Sequence, residues 1–247
     1  MTKDQRSGKF STPQAILIAG ALIAGAILIN AIARQQSANN QTPERPVAEE
    51  GVLETNDSLK LLIPFEEGVD HWRGSREPSI TIYEYSDIDC PFCRRFHETM
   101  HSIVEEYSED VRWVYRHLPL DQLHPEARQK AVIAECVFLQ AGEDVFWKLL
   151  DDMYEQPTTL AGLPDYVDLY SLDEGVYENC LADQSVQDRV SRDAQNAVAT
   201  RGSVQIGTPW SIIELPDGSR IPFSGAQPTS VVKSVIDAIL AQEANNL

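Results

Sequence analysis

The sequence predicts an α/β domain whose sheet is split by a helical insertion and which follows a single N-terminal transmembrane helix. Three observations predict this: a strand–helix–strand pattern over residues 79–118, a helical block over about 120–202, and a return to strand periodicity and one last helix over 210–240.

The first 14 residues are polar and read as a cytoplasmic N-terminus. From Phe10 to Ala33 there is no charge, and within that run 15–33 is apolar except for Asn30. Nineteen helical residues at about 1.5 Å each reach roughly across the hydrocarbon core of a bilayer. Lys3, Arg6, Lys9 and Arg34 against Asp4 give residues 1–34 a net +3. Basic residues ahead of the run place the N-terminus in the cytoplasm and everything after Arg34 outside. The competing reading is a cleaved signal peptide ending at Ala31-Ile32-Ala33, with secretion of the rest. The run is long for a signal peptide, and Arg34 would be an awkward first mature residue. Both readings export the remaining chain. Residues 34–57 are polar, contain proline and lack periodicity, as a flexible tether does.

The formal charge of the whole is −18, so the chain beyond residue 34 carries −21. A body this acidic repels phosphate backbones, which excludes nucleic acid as a partner.

The folded domain is expected over 58–247. Ser79–Tyr85 alternates apolar and polar residues, as a half-buried strand does. A helix follows Cys90-Pro91-Phe92-Cys93, with Phe96, Met100, Ile103, Val104 and Tyr107 on one face. Val111–Leu118 reads as a second strand. Pro125–Leu139 has apolar residues on two faces, one with Ala127, Ala131, Ala134 and Phe138, the other with Val132, Cys136 and Leu139, so it is predicted to lie between neighbours. Phe146–Tyr154, Leu172–Leu181 and Val186–Ala199 are three more helical segments, the last stopped by Gly202. Trp210–Leu215 and Arg220–Phe223 flank Pro216-Asp217-Gly218-Ser219 as a hairpin, with Pro222 suited to an edge strand. A final helix carries Val231, Val232, Val235, Ile236, Ile239 and Leu240 on its apolar face.

Four cysteines in an exported chain permit disulfides. Cys90 stands where a strand hands over to a helix, where free backbone N–H groups and the helix dipole favour a thiolate. Pro91 fits the first helical turn, because its missing N–H would have had no partner. Cys93 falls one turn on, on the apolar face with Phe96. The expectation is an exposed, activated Cys90 and a shielded Cys93, the asymmetry that thiol–disulfide exchange requires. Zinc knuckles use the same C-x-x-C spacing, but a structural zinc site wants a second close pair, and Cys136 and Cys180 are 44 residues apart. Both lie on apolar faces and are expected to form a structural disulfide; the alternative is two buried thiols. His97-Glu98-Thr99-Met100-His101 matches H-E-x-x-H, a zinc-protease pattern that needs a third ligand elsewhere. The histidines lie towards the edge of the apolar face and Glu98 points away from it, so no metal is expected there.

Taken together, Asp70-His71-Trp72-Arg73-Gly74, the run Thr81–Asp87 into Cys90-Pro91-Phe92-Cys93, His124-Pro125-Glu126-Ala127, Gly207-Thr208-Pro209 and Gly225-Ala226-Gln227-Pro228 resemble the DsbA family of thiol–disulfide oxidoreductases, including its membrane-anchored BdbD-like branch. The resemblance covers about residues 70–242 and implies a thioredoxin-like fold with a helical insertion. It implies a cis Thr208-Pro209 bond beside Cys90, in a loop whose backbone pairs with substrate. It also implies that Glu84 is a buried acid beneath the site, exchanging a proton with Cys93; taken alone, Glu84 reads as a surface glutamate. Phe92 stands where strongly oxidising members carry histidine, and it donates no hydrogen bond to a thiolate. Asp89 opposes the Cys90 charge, with Arg94 and Arg95 partly offsetting it. The Cys90 pKa is therefore expected between about 3.5 and about 8.5.

The function so implied is an extracytoplasmic, membrane-anchored oxidase that passes the Cys90–Cys93 disulfide to exported client proteins with free thiols. Its reoxidant would be a membrane protein resembling DsbB or vitamin K epoxide reductase, and it needs no cofactor beyond its own disulfide. A reductase or isomerase would use the same residues. A chaperone or binding module that keeps the fold, and a metal carrier, are the alternatives from other classes.

Overall fold

The computed structural model describes residues 57–202 and 207–244. The expected cytoplasmic N-terminus, the 15–33 anchor and all but the last residue of the 34–57 tether lie outside these. Among the described residues, no helix is long and apolar enough to cross a membrane. Of the described residues, 57–233 form one compact unit; the last helix begins in it, and its part from Ser234 belongs to a second unit.

The elements run β1 (His71–Gly74), β2 (Ile80–Ser86), α1 (Pro91–Glu106), β3 (Val111–His117), α2 (Ala127–Ala141), α3 (Glu143–Glu155), α4 (Tyr166–Tyr170), α5 (Glu174–Leu181), α6 (Gln184–Arg201), β4 (Trp210–Glu214), β5 (Arg220–Ser224) and α7 (Thr229–Ala244). The five strands form one sheet in the order β1-β3-β2-β4-β5. β2 and β3 are parallel, joined by α1, whereas β1 on β3, β4 on β2 and β5 on β4 are antiparallel. The helices α2 to α6 interrupt the sheet between β3 and β4, so the insertion spans 127–201.

Alternation in β2 predicts one wet face, and here the structure differs. Every residue of β2 is buried, because it is the central strand and both faces are covered. One face packs Tyr83 and Tyr85 with Val114, Trp210, Ile212 and Ala197 of α6. Phe96 of α1 meets Phe223 of β5, ring centroids 6.0 Å apart. β5 is an edge strand and carries Pro222, whose missing N–H faces no neighbour strand. β1 was not legible as a strand: it is four residues long, too short for a period to register. Gly74 ends it at φ +95°, and a Cβ there would strike the Val111 carbonyl oxygen, so only glycine fits.

Two expectations about the insertion are corrected. Leu139 is 62% exposed, not part of a second buried face of α2, and Val176, which the sequence places on the apolar face of Cys180 in α5, is 53% exposed. That face is instead Ala131, Val132 and Cys136, packed on Val186 and Val190 of α6. α5 buries no residue fully, and it is tied down by the Cys136–Cys180 disulfide (Cα–Cα 5.7 Å). Closing a 44-residue separation contributes about 4 kcal/mol in the chain-entropy picture.

The insertion is bound to the sheet by buried charge. Glu135 of α2 accepts from His71 at 3.1 Å, and it pairs with His117 at 3.2 Å and with Arg189 of α6 at 2.6 Å. Burial alone would raise its pKa, but these three partners hold it well below the usual carboxylate range. Replacing Glu135 by Gln leaves Arg189 without its counter-charge, so unfolding free energy should fall by about 3–5 kcal/mol, read from the urea midpoint at unchanged slope. A change of about 0.5 kcal/mol, as at an ordinary surface position, would contradict this.

Candidate active site

Cys90 is the N-cap of α1, with an extended backbone (φ −78°, ψ 121°), and Pro91 occupies the first turn. No side chain caps this end, so its free N–H groups face the Cys90 sulfur. Both cysteines are thiols in this structure. Cys93 is fully buried, and its sulfur accepts the Asp87 N–H at 3.4 Å.

Cys90 is less open than expected, at 5% exposure. The Thr208-Pro209 peptide is cis, and the loop that carries it lies against the thiol, which donates to the Thr208 carbonyl at 3.6 Å. Beside it Phe92 is 53% exposed, with Arg95 4.8 Å above its ring. The two thiols thus differ less in access than in electrostatics. The hydrogen bond from Cys93 is the main influence on Cys90; with the Thr208 side chain and the N–H groups of Phe92 and Cys93 it outweighs burial and brings the pKa down to about 5. The Thr208 hydroxyl is buried and has no other partner among the described residues, so it is free to turn towards a thiolate. Cys93 moves the opposite way: burial first, then the Cys90 charge, hold its thiol well above the ordinary value.

Glu84 is wholly buried on β2, not a surface residue. Its carboxylate accepts from Ser86 Oγ at 2.7 Å and from Trp113 Nε1 at 2.9 Å. Burial raises its pKa to about 7 against the pull of those two donors, and the Cys90 charge adds to the rise. Its own charge in turn raises Cys93. A carboxyl poised near neutrality beside a reluctant thiolate can carry the proton that Cys93 exchanges.

Four supporting groups escaped the sequence reading. Asp89 does not face Cys90 as a free anion: Lys130 of α2, itself buried, reaches it at 2.5 Å. A lysine on an apolar helix face gave no signal beyond being out of place. Asp87 accepts from the N–H groups of Asp89 (2.8 Å) and Leu120 (2.7 Å) and pairs with His124 at 3.0 Å, which fixes the strand-to-helix loop under Cys93. Tyr154 of α3 is buried 2.9 Å from Ser86 Oγ, the hydroxyl that donates to Glu84. Arg201, at the end of α6, donates to the Gly207 carbonyl and so holds the loop before Thr208.

Residues 66–215 match the thioredoxin family. The fold superimposes on DsbA2 of Pseudomonas aeruginosa with a TM-score of 0.59 and 28% identity, over 71% of this chain and 94% of that one. It also superimposes on alpha-DsbA1 of Wolbachia pipientis at 0.62 and 20% identity, over 76% and 98%, a likeness of fold alone. Among curated proteins, the Na(+)/H(+) antiporter NhaA 3 of Salinispora tropica is 32% identical over 152 residues, which is 61% of this chain and 22% of the antiporter. The chain thus spans about a fifth of the length of such relatives.

Glu84→Gln tests the proton route. As pH rises through about 7 the wild-type carboxyl loses its proton, so the departure of Cys93 should slow with a midpoint there. The glutamine variant should be slower below pH 7 and lack that inflection. Stability supplies a second readout. The folded pKa lies above the unfolded one, so the native state binds more protons between about 4.5 and about 7, and this group's contribution falls as pH rises across that window. The variant should lose that slope; identical rate and stability profiles would remove Glu84 from the mechanism.

Proposed function

The chain belongs to the thioredoxin family and, within it, to the DsbA-like thiol–disulfide oxidoreductases, and on that premise we propose that it works as an oxidase, donating the Cys90–Cys93 disulfide to exported proteins. The observation that carries this direction is the placement of Cys90 at the uncapped N-terminus of α1 against the Thr208-Pro209 loop, which brings its pKa down to about 5. A thiolate so stabilised at neutral pH favours the reduced pair, and a pair whose reduced form is stabilised gives up its disulfide readily.

A client thiolate attacks Cys90 Sγ, the Cys90–Cys93 bond breaks, and the Cys93 sulfur leaves with the electron pair, taking a proton from the Glu84 carboxyl. Cys90 is then joined to the client. A second client thiolate attacks the client sulfur of that mixed disulfide and releases Cys90 as a thiolate. The client gains one disulfide, the enzyme holds the two electrons as its dithiol, and a membrane oxidant resembling DsbB or vitamin K epoxide reductase removes them. The cis-proline loop, with Thr208 beside the sulfur, offers its backbone to an extended client segment, and exposed Phe92 offers it an apolar contact. The apolar run at 15–33 supports anchoring with the catalytic domain outside the cytoplasm, and the partial match to a membrane antiporter fits a domain that works at a membrane.

Cys93→Ala should accumulate long-lived mixed disulfides between Cys90 and exported proteins on non-reducing gels, because Cys93 is no longer there to attack Cys90 and release a client whose own second thiol is slow to do so. Cys90→Ala should trap few. Thiol trapping of the wild type in cells should find the pair mostly as disulfide. A mostly dithiol pair would mean a reductase or isomerase, and a better trap in Cys90→Ala would reverse the assigned roles.

A further inference from the structure

His97 and His101 stand one turn apart on α1 and meet Asp151 of α3. His97 Nε2 lies 2.8 Å and His101 Nε2 2.9 Å from the same oxygen, Asp151 Oδ1, and the two nitrogens are 3.2 Å from each other. The third ligand that the H-E-x-x-H spacing lacked is therefore present, brought in by the helical insertion. Ligand atoms at about 2.0–2.2 Å from a tetrahedral zinc ion stand roughly 3.3 Å apart, so this triangle needs only a few tenths of an ångström to admit one.

In this structure the three groups are held by protons and by Arg73, both of which a metal ion can replace. Arg73 Nη1 lies 2.8 Å from His101 Nε2 and 3.2 Å from its Nδ1, so the guanidinium sits against the ring and already brings positive charge to the cluster. His101 Nε2 faces Asp151 Oδ1 at 2.9 Å, where its N–H donates to the carboxylate when no metal is bound. His97 Nδ1 is buried with no hydrogen-bond partner among the described residues, so nothing on that side fixes its tautomer. With their protons given up, the two Nε2 atoms and Asp151 Oδ1 can present three lone pairs to one cation. Arg73 supplies positive charge from the side, its Nη2 donating to Asp151 Oδ2 at 2.8 Å.

We propose that His97, His101 and Asp151 form a binding site for a divalent cation of the zinc class, with Arg73 as the cation it displaces. Two imidazoles and a carboxylate are a zinc donor set with a fourth position left open. The site is reachable, since the side chains of His101, Asp151 and Arg73 are 39%, 28% and 26% exposed. Glu98 is exposed, about 100° round the helix from His97, so it is off the histidine face and no hydrolysis follows. Bound metal would clamp the active-site helix to the insertion. It would also fix the His97 ring, which packs 5.1 Å from Trp113, the residue that holds Glu84. Neither Cys90 nor Cys93 is a ligand, so the site stands apart from the proposed oxidase activity.

The test is calorimetric titration of Zn2+ into the detergent-solubilised full chain with Cys90–Cys93 oxidised, so that neither thiol can take metal, together with Co2+ absorption spectroscopy. One ion per chain should bind, with Co2+ bands of nitrogen and oxygen ligands and no sulfur charge transfer. His101→Gln and Asp151→Asn should each weaken binding by about 100-fold or more. Arg73→Ala should tighten it by about tenfold, since a competing positive charge is gone. Circular dichroism and thiol-exchange turnover verify that each variant is folded. Failure of both wild type and Arg73→Ala to bind overturns the site, as does binding that survives both ligand substitutions; unchanged affinity in Arg73→Ala overturns the displacement.

Discussion

Two sulfur atoms three residues apart compete for one negative charge, and the fold settles the contest in favour of Cys90. Cys93 sits inside the domain, where a charge is costly to hold, and its S–H serves instead as a donor to its neighbour. Cys90 sits at the open end of α1, against Thr208, where donors converge on a thiolate. Access contributes little to this difference, because both residues are nearly closed to solvent.

The rest of the domain keeps that inequality in place. The Thr208-Pro209 loop must lie against Cys90, and β4 anchors it from one side while Arg201 of α6 holds Gly207 from the other. Asp87 fastens the turn under Cys93 to the start of the insertion through Leu120 and His124. Lys130 neutralises Asp89, the anion next to Cys90 in sequence. The insertion brings Tyr154 against Ser86; it is bound to the sheet through Glu135, and its own helices α2 and α5 are joined by the Cys136–Cys180 disulfide. Burial of the central strand then leaves Glu84 in surroundings where its proton is held to near neutrality.

Much of this was legible in the sequence because the signals are local. The strand at Ser79–Tyr85, the helix opened by Pro91 and the hairpin around Pro216–Ser219 each carry their own periodicity or turn residues, and their bounds agree with the structure to within a residue or two. The thiol pair is contiguous, so its helix-terminal position could be read directly. What was not legible depends on distant segments. Alternation in β2 says nothing of whether the second face is covered, so the resemblance, not the pattern, pointed to a buried Glu84. The pairing of Asp89 with Lys130 spans 41 residues, and that of His97 and His101 with Asp151 spans 54 and 50. No periodicity links such positions; only the packing of α2 and α3 against the sheet brings them together.

The central claim is that the fold places the charge on Cys90, and the most direct measurement is the pH dependence of Cys90 alkylation in the reduced full chain, followed by mass spectrometry of the labelled peptide. The rate should rise with a midpoint near pH 5, with Cys93 unlabelled throughout. A midpoint near an unperturbed thiol's value of about 8.5, or labelling of both cysteines together, would contradict the account.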